Sequence, residues 1–177
     1  AGGKVSMFMC CPFDAMGSTM ATYGGQNVGA GKLERVGRGL RSCILLGAVY
    51  SVIALGIVLF LGRYLLLLFL NSDETAILEN AQWFIMMNSL FYFPLALVNI
   101  IRFMIQGMGF SKLAVFAGMF EMVARTLAGF VLVPFFGFPA VGFANPLAWI
   151  FADIFLIPAY LYVKRRMEQA MMRQTMA

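Results

Sequence analysis

The chain has 177 residues, 62% apolar and 12% charged, with no histidine and a mean hydropathy of +0.85. A soluble domain carries about 45–50% apolar and about 25% charged residues, so this balance excludes an ordinary soluble protein and points to a membrane one. The net charge of +5 does not indicate nucleic acid, because the basic residues gather at the ends of apolar runs, where they mark topology.

A membrane-crossing helix needs about 20 mainly apolar residues. The pattern predicts an all-α membrane protein with five spans over about 5–23, 42–70, 77–106, 113–133 and 146–163, and a cytoplasmic tail over 167–177. The first span carries Asp14 beside Pro12 and Gly17, and two of the three cysteines, Cys10 and Cys11; neither disulfide nor metal-binding spacing is readable. A loop is expected over 24–41, where six glycines and four basic residues crowd together. It is no phosphate loop. Gln26 stands where such a loop needs its first glycine, Leu33 where it needs Ser or Thr, and Glu34 where a dinucleotide fingerprint from Gly29 needs its third glycine.

The second span, with Cys43, is followed by the turn LNSDET at 70–75. The third holds Asn88, Pro94, Asn99 and Arg102, and the proline is expected to free a backbone carbonyl within it. The fourth carries Glu121 and Arg125, four apart and so on one helix face. A further loop is expected over 134–146, and the last span, with Asp153, closes on Lys164, Arg165 and Arg166.

Charge assigns the sides. Lys32, Arg35, Arg38, Arg41, Lys112, Lys164, Arg165 and Arg166 fall on one side, Lys4 and Arg63 on the other, offset by Asp73 and Glu74. The positive-inside rule makes the first side cytoplasmic, the N-terminus external and the C-terminus internal. A chain that begins outside without Met is expected to be a piece of a longer protein. Two inward-running spans end alike, in QNVGAGK (Gln26, Asn27, Gly29, Lys32) and QGMGFSK (Gln106, Gly107, Gly109, Lys112). The shared spacing predicts a helix stop, with glycine near the C-cap in the left-handed conformation and lysine meeting the helix's negative end and the anionic inner leaflet.

These segments carry a family resemblance. Q-N-x-G-A-G-K-x-E-R from Gln26 to Arg35, R-x-x-x-Q-G-x-G-x-S from Arg102 to Ser111, E-x-x-x-R at Glu121 and Arg125, and P-x-A-W at Pro146 resemble, in order, motifs of MATE-type transporters (multidrug and toxic compound extrusion, within the MOP flippase superfamily) over residues 12–166. The resemblance implies helices 8–12 of a twelve-helix transporter, with the N-terminal lobe of the same chain as its missing partner. It further implies efflux of cationic or amphipathic compounds across the plasma membrane by sodium or proton antiport, with no cofactor beyond that coupling ion and no enzymatic activity.

An ionisable group within a span costs about 2.5–3.5 kcal/mol, so each needs a reason. Asp14 is a candidate for the coupling cation or proton, or a capping group at a kink. Glu121 and Arg125 either lock a helix in place or take part in cation exchange. Asn88 and Asn99 either build a site at an interrupted helix or hydrogen-bond neighbouring helices. Arg102 is expected to snorkel towards the interface. Asp153 is either functional or a packing hydrogen bond. Two other functions stay open: a flippase for lipid-linked oligosaccharides, which should hold more cavity arginine and lysine, and a non-transporting assembly fragment. An intramembrane enzyme is disfavoured because the commonest catalytic base, histidine, is missing. The purified full-length protein should show no saturable ATP binding that disappears in Lys32→Ala; titration with labelled ATP checks this.

Overall fold

The computed structural model describes residues 2–68 and 75–176, so the expected turn at 70–75, Asp73 and Glu74 included, lies outside the described residues except for its last position. Helix α1 (Gly2–Gly29) is followed by α2 (Leu33–Leu67), α3 (Thr75–Leu90), α4 (Tyr92–Gly107) and α5 (Ser111–Leu127). A π-helical turn (Ala128–Leu132), the short α6 (Val133–Phe136) and a 3-10 turn (Phe138–Ala140) lead into α7 (Val141–Met176).

The bundle is apolar outside as well as within, as a membrane requires. On α2 small and medium residues recur every three or four positions on the buried face: Leu40, Cys43, Gly47, Ser51, Ala54, Val58 and Gly62. The opposite face presents Leu45, Val49, Val52, Ile53 and Phe60, all more than half exposed. Among the described residues three stretches are long and apolar enough to cross a membrane, Leu33–Leu67, Ser111–Phe135 and Val141–Arg173; a fourth follows if the bent pair Ala76–Leu90 and Tyr92–Gly107 counts as one span. The count therefore stops short of five. Helix α1, 28 residues long, has the length to cross but dilutes its apolar residues with Lys4, Asp14 and a Gly/Ser/Thr-rich second half.

The expected loops are shorter than the sequence suggests. Helix α1 runs through Gly24 and Gly25 to Gly29, and α2 begins at Leu33, so Arg35, Arg38 and Arg41 lie on a helix rather than in a loop. Helix α7 begins at Val141 with Pro146 and Pro158 inside it, and it continues through most of the expected tail. Gly24 and Gly25 stay helical because α1 packs closely on α4. A Cβ at Gly24 would lie 2.7 Å from Met104 Sδ, one at Gly25 3.1 Å from the Gly107 carbonyl, and one at Gly107 would collide with the Ala21 backbone. Small residues at 17, 21 and 25 thus form a stripe that lets the two backbones meet, as in membrane helix pairs generally.

The third expected span is bent by 55°, and the break falls at Phe91 rather than at Pro94. Proline clashes with the carbonyl four residues earlier, at Leu90, and fits the first turn of a helix, where its missing N–H is no loss. Pro94 therefore starts α4 instead of interrupting it.

Both expected helix stops are Schellman motifs. After α1, the N–H of Gly31 donates to the Val28 carbonyl at 3.0 Å and that of Lys32 to Asn27 at 2.8 Å; after α4, Gly109 donates to Gln106 at 3.0 Å and Phe110 to Ile105 at 3.1 Å. The left-handed residues are Gly31 (φ 69°) and Gly109 (φ 93°). The expected device is present, but Gly29 and Gly107 remain helical, so the two seven-residue motifs turn at different places. Gly31→Ala should destabilise the protein by about 1–2 kcal/mol. Gly29→Ala, with nothing within 4 Å, should stabilise it by about 0.4–1 kcal/mol. Gly107→Ala should cost about 1–3 kcal/mol through overpacking on α1. Thermal unfolding of the full-length protein in detergent checks the three signs.

Candidate functional site

Helices α1 and α4 run parallel, with contacts advancing together along both chains: Phe13 on Tyr92 (ring centroids 5.6 Å apart), Gly17 on Phe103 and Ala21 on Gly107. This register sets Asp14 opposite Asn99, whose Nδ2 donates to Asp14 Oδ1 at 3.3 Å. Asn99 is buried, whereas Asp14 is exposed. Among the described residues no cationic side chain pairs with Asp14. Ser18 and Thr22 continue its exposed face at four-residue steps, their hydroxyls donating to the carbonyls of Asp14 (3.0 Å) and Ser18 (3.3 Å). A carboxylate held by one amide and flanked by hydroxyl oxygens can take up a monovalent cation or a proton.

The second cluster is the one that sequence spacing half reveals. Glu121 Oε2 accepts from Arg125 Nη2 at 3.3 Å, as the four-residue separation implies. Glu121 also forms an ion pair with Arg102 on α4. Arg102 therefore does not simply snorkel; it ties α4 to α5. The Glu121 side chain is 12% exposed and Arg125 48%, so the Arg102 pair is the buried one. With both faces of its carboxylate engaged by guanidinium groups, Glu121 is poorly placed to receive a further cation.

Asn88 and Asn99 do not form a common site. They lie on either side of the break at Phe91, and Asn88 faces α7: its Oδ1 accepts from Asn145 Nδ2 at 3.0 Å, while its own Nδ2 donates to the Phe84 carbonyl at 2.7 Å. Asn145 was not identifiable as a partner because its Gly/Pro-rich surroundings read as a loop. Nearby, Trp83 Nε1 donates to the Pro139 carbonyl at 3.4 Å, pinning the 3-10 turn to α3. The turn residues Gln26, Asn27, Lys32 and Arg35 gather with the second turn at one end of the bundle, where Arg166 stacks on Phe110 at 5.7 Å and Tyr23 Oη donates to the Arg35 carbonyl at 3.1 Å. Lys4 and Arg63 belong to the opposite end, where Val5 packs with Val58 and Leu66.

The two arginines of Glu121 should behave differently. Glu121→Gln should destabilise by up to about 3 kcal/mol, since it takes the carboxylate from Arg102, whose side chain is 22% exposed. Arg125→Gln should cost no more than about 1 kcal/mol, because that side chain is half exposed. Combining Glu121→Gln with Arg102→Gln should recover more stability than combining it with Arg125→Gln. Equal recovery in unfolding measurements would assign the buried pair to the wrong arginine.

A family model described as MatE matches residues 1–131, about three quarters of the chain; it takes in Asp14, Asn88, Asn99, Arg102, Glu121 and Arg125 and stops before α7. No curated protein and no solved structure matches. With its apolar-surfaced helical bundle, the chain belongs to the MatE family of MATE-type membrane transporters.

Proposed function

We propose that the chain forms part of a secondary active transporter that exports cationic or amphipathic small molecules in exchange for sodium ions or protons, and that Asp14 with Asn99 holds the coupling ion. The observation that carries this reading is the exposed carboxylate of Asp14 in an apolar bundle, paired with no cationic side chain among the described residues and continued along α1 by Ser18 and Thr22. A polar helix face in a membrane must border protein or a water-filled cavity, because lipid gives its groups no partners. The further part of a longer chain, the N-terminal lobe that the family resemblance implies, would close that cavity. Substrates would meet it as an alternative occupant, which is the requirement for exchange. In this reading the basic end is cytoplasmic and the membrane is the plasma membrane, where K/R-rich helix ends stay on the inner face.

The lipid-linked oligosaccharide alternative would need free guanidinium or ammonium groups within the bundle to hold a pyrophosphate. Arg102 is instead committed to Glu121. In the full-length protein, Asp14→Asn should reduce ion-driven efflux of a fluorescent cation to background, with folded yield in the membrane unchanged. Asn99→Ala should retain transport but weaken apparent affinity for the coupling ion about tenfold, the loss of roughly one charge-assisted hydrogen bond. Normal export by Asp14→Asn would remove the ion site from α1.

A further inference from the structure

Three basic residues at one end of the bundle share a cleft. Where α1 turns into α2, the far part of α7 runs alongside: a Cβ at Gly31 would lie 3.5 Å from Met171 Cε, and one at Gly37 3.8 Å from Lys164 Nζ. Between the two stretches opens a cleft of about 640 Å³, lined on the α2 side by Lys32, Arg35 and Arg38, all exposed. Glu34 and Glu168 line it too, but Lys164 engages Glu168 at 3.7 Å. Among the described residues no carboxylate pairs with Lys32, Arg35 or Arg38, so three cations face the one remaining carboxylate, Glu34. That surplus attracts an anion.

The surroundings of the cleft say what the anion is attached to. Leu33, Met171 and Met172 supply an apolar side. Arg35 and Arg38 also border a smaller cleft of about 380 Å³ that reaches Tyr23 of α1 and Ser42. From Arg38 the same exposed face of α2 continues at four- and three-residue steps through Ser42 to Leu45, Val49 and Val52, the last three each more than half exposed. Leu45 lies about 10 Å along the helix from Arg38 and Val52 about 21 Å, which carries the strip through much of one leaflet of a hydrocarbon core about 30 Å thick. A free anion would use the cations and leave the strip bare, whereas an anionic lipid uses both.

We propose that this cleft binds one anionic phospholipid, its phosphate held by Lys32, Arg35 and Arg38 and its acyl chains laid along Leu45, Val49 and Val52 of α2. Guanidinium groups suit the phosphate, since each can donate two parallel hydrogen bonds to its oxygens. Their long apolar stems lie against the helix while the charged heads stay at headgroup level. A lipid held there fixes the depth of α2 in the membrane. The site stands about 22 Å along α1 from Asp14, taking the fifteen residues between Asp14 and Gly29, and does not depend on what is transported.

Native mass spectrometry of the full-length protein, released from detergent with stepwise addition of lipid, tests this. One phosphatidylglycerol should bind saturably, and phosphatidylcholine, neutral in sum, about tenfold more weakly. Arg35→Gln with Arg38→Gln, both exposed positions, should weaken phosphatidylglycerol binding about thirtyfold. Arg35→Lys with Arg38→Lys keeps the charge without the planar fork and should fall between the parent and that variant. Lys112→Gln with Arg165→Gln removes the same charge from the same end outside the cleft and should cost about threefold at most. Equal affinity for the two lipids, unchanged binding in Arg35→Gln with Arg38→Gln, or an equal loss in the pair outside the cleft would overturn the site. Inorganic phosphate in excess should leave the lipid in place; its displacement would show that the cleft takes the free anion and would overturn the lipid assignment. Binding is read without transport, so a failure of the Asp14 reading would show in efflux and leave these affinities as they are.

Discussion

The close approach of α1 and α4 sets the position of nearly everything else in this bundle. Their backbones meet where Ala21 faces Gly107, a contact that any side chain at 107 would force apart. Because the helices run parallel, that one contact brings Asp14 to Asn99 a few residues earlier and brings both Schellman turns to the same end a few residues later. The glycines that look like a loop in the sequence are therefore the packing surface of a helix. In lipid, where apolar burial gives helices little reason to associate, such close backbone contact supplies much of the attraction.

Charge is handled in two ways within the same apolar volume. On the α4–α5 side, Glu121 pairs with Arg102 and Arg125, and this compensation is what allows its carboxylate to be largely buried. On the α1–α4 side, Asp14 is exposed and receives only an amide. A neutralised group resists new ligands, whereas an uncompensated carboxylate invites them. Both arrangements hang on α4, with Asn99 and Arg102 three residues apart, so a displacement of this helix would be felt at both. The break at Phe91 gives α4 an end that is not rigidly continuous with α3.

The membrane class, the helical architecture and the family could be read from composition and from motifs in order, since hydropathy and turn chemistry are local properties. Gly109 shows this well: a glycine followed by a basic residue at the end of an apolar run is a helix stop, and it is one. Gly31 shows the limit, because three glycines within a few residues leave the turning one undecided until the chain is packed. The Glu121–Arg125 pair was legible from its four-residue spacing. Its joining to Arg102 was not, because that contact crosses between helices and depends on rotations that no spacing encodes. Asn88 and Asn99 were misleading together: a shared span suggests a shared site, but the bend before Pro94 sends them to different neighbours.

The central claim is that Asp14 and Asn99 act as one ion-binding unit across α1 and α4. A double-mutant cycle in the full-length transporter, with coupling-ion affinity measured for the parent, Asp14→Glu, Asn99→Ser and the combined variant, tests it most directly. If the two residues hold the same ion, the losses should be non-additive by about 0.5–3 kcal/mol, as for groups in contact. Additivity within about 0.5 kcal/mol would contradict the account, since it is the behaviour of independent positions.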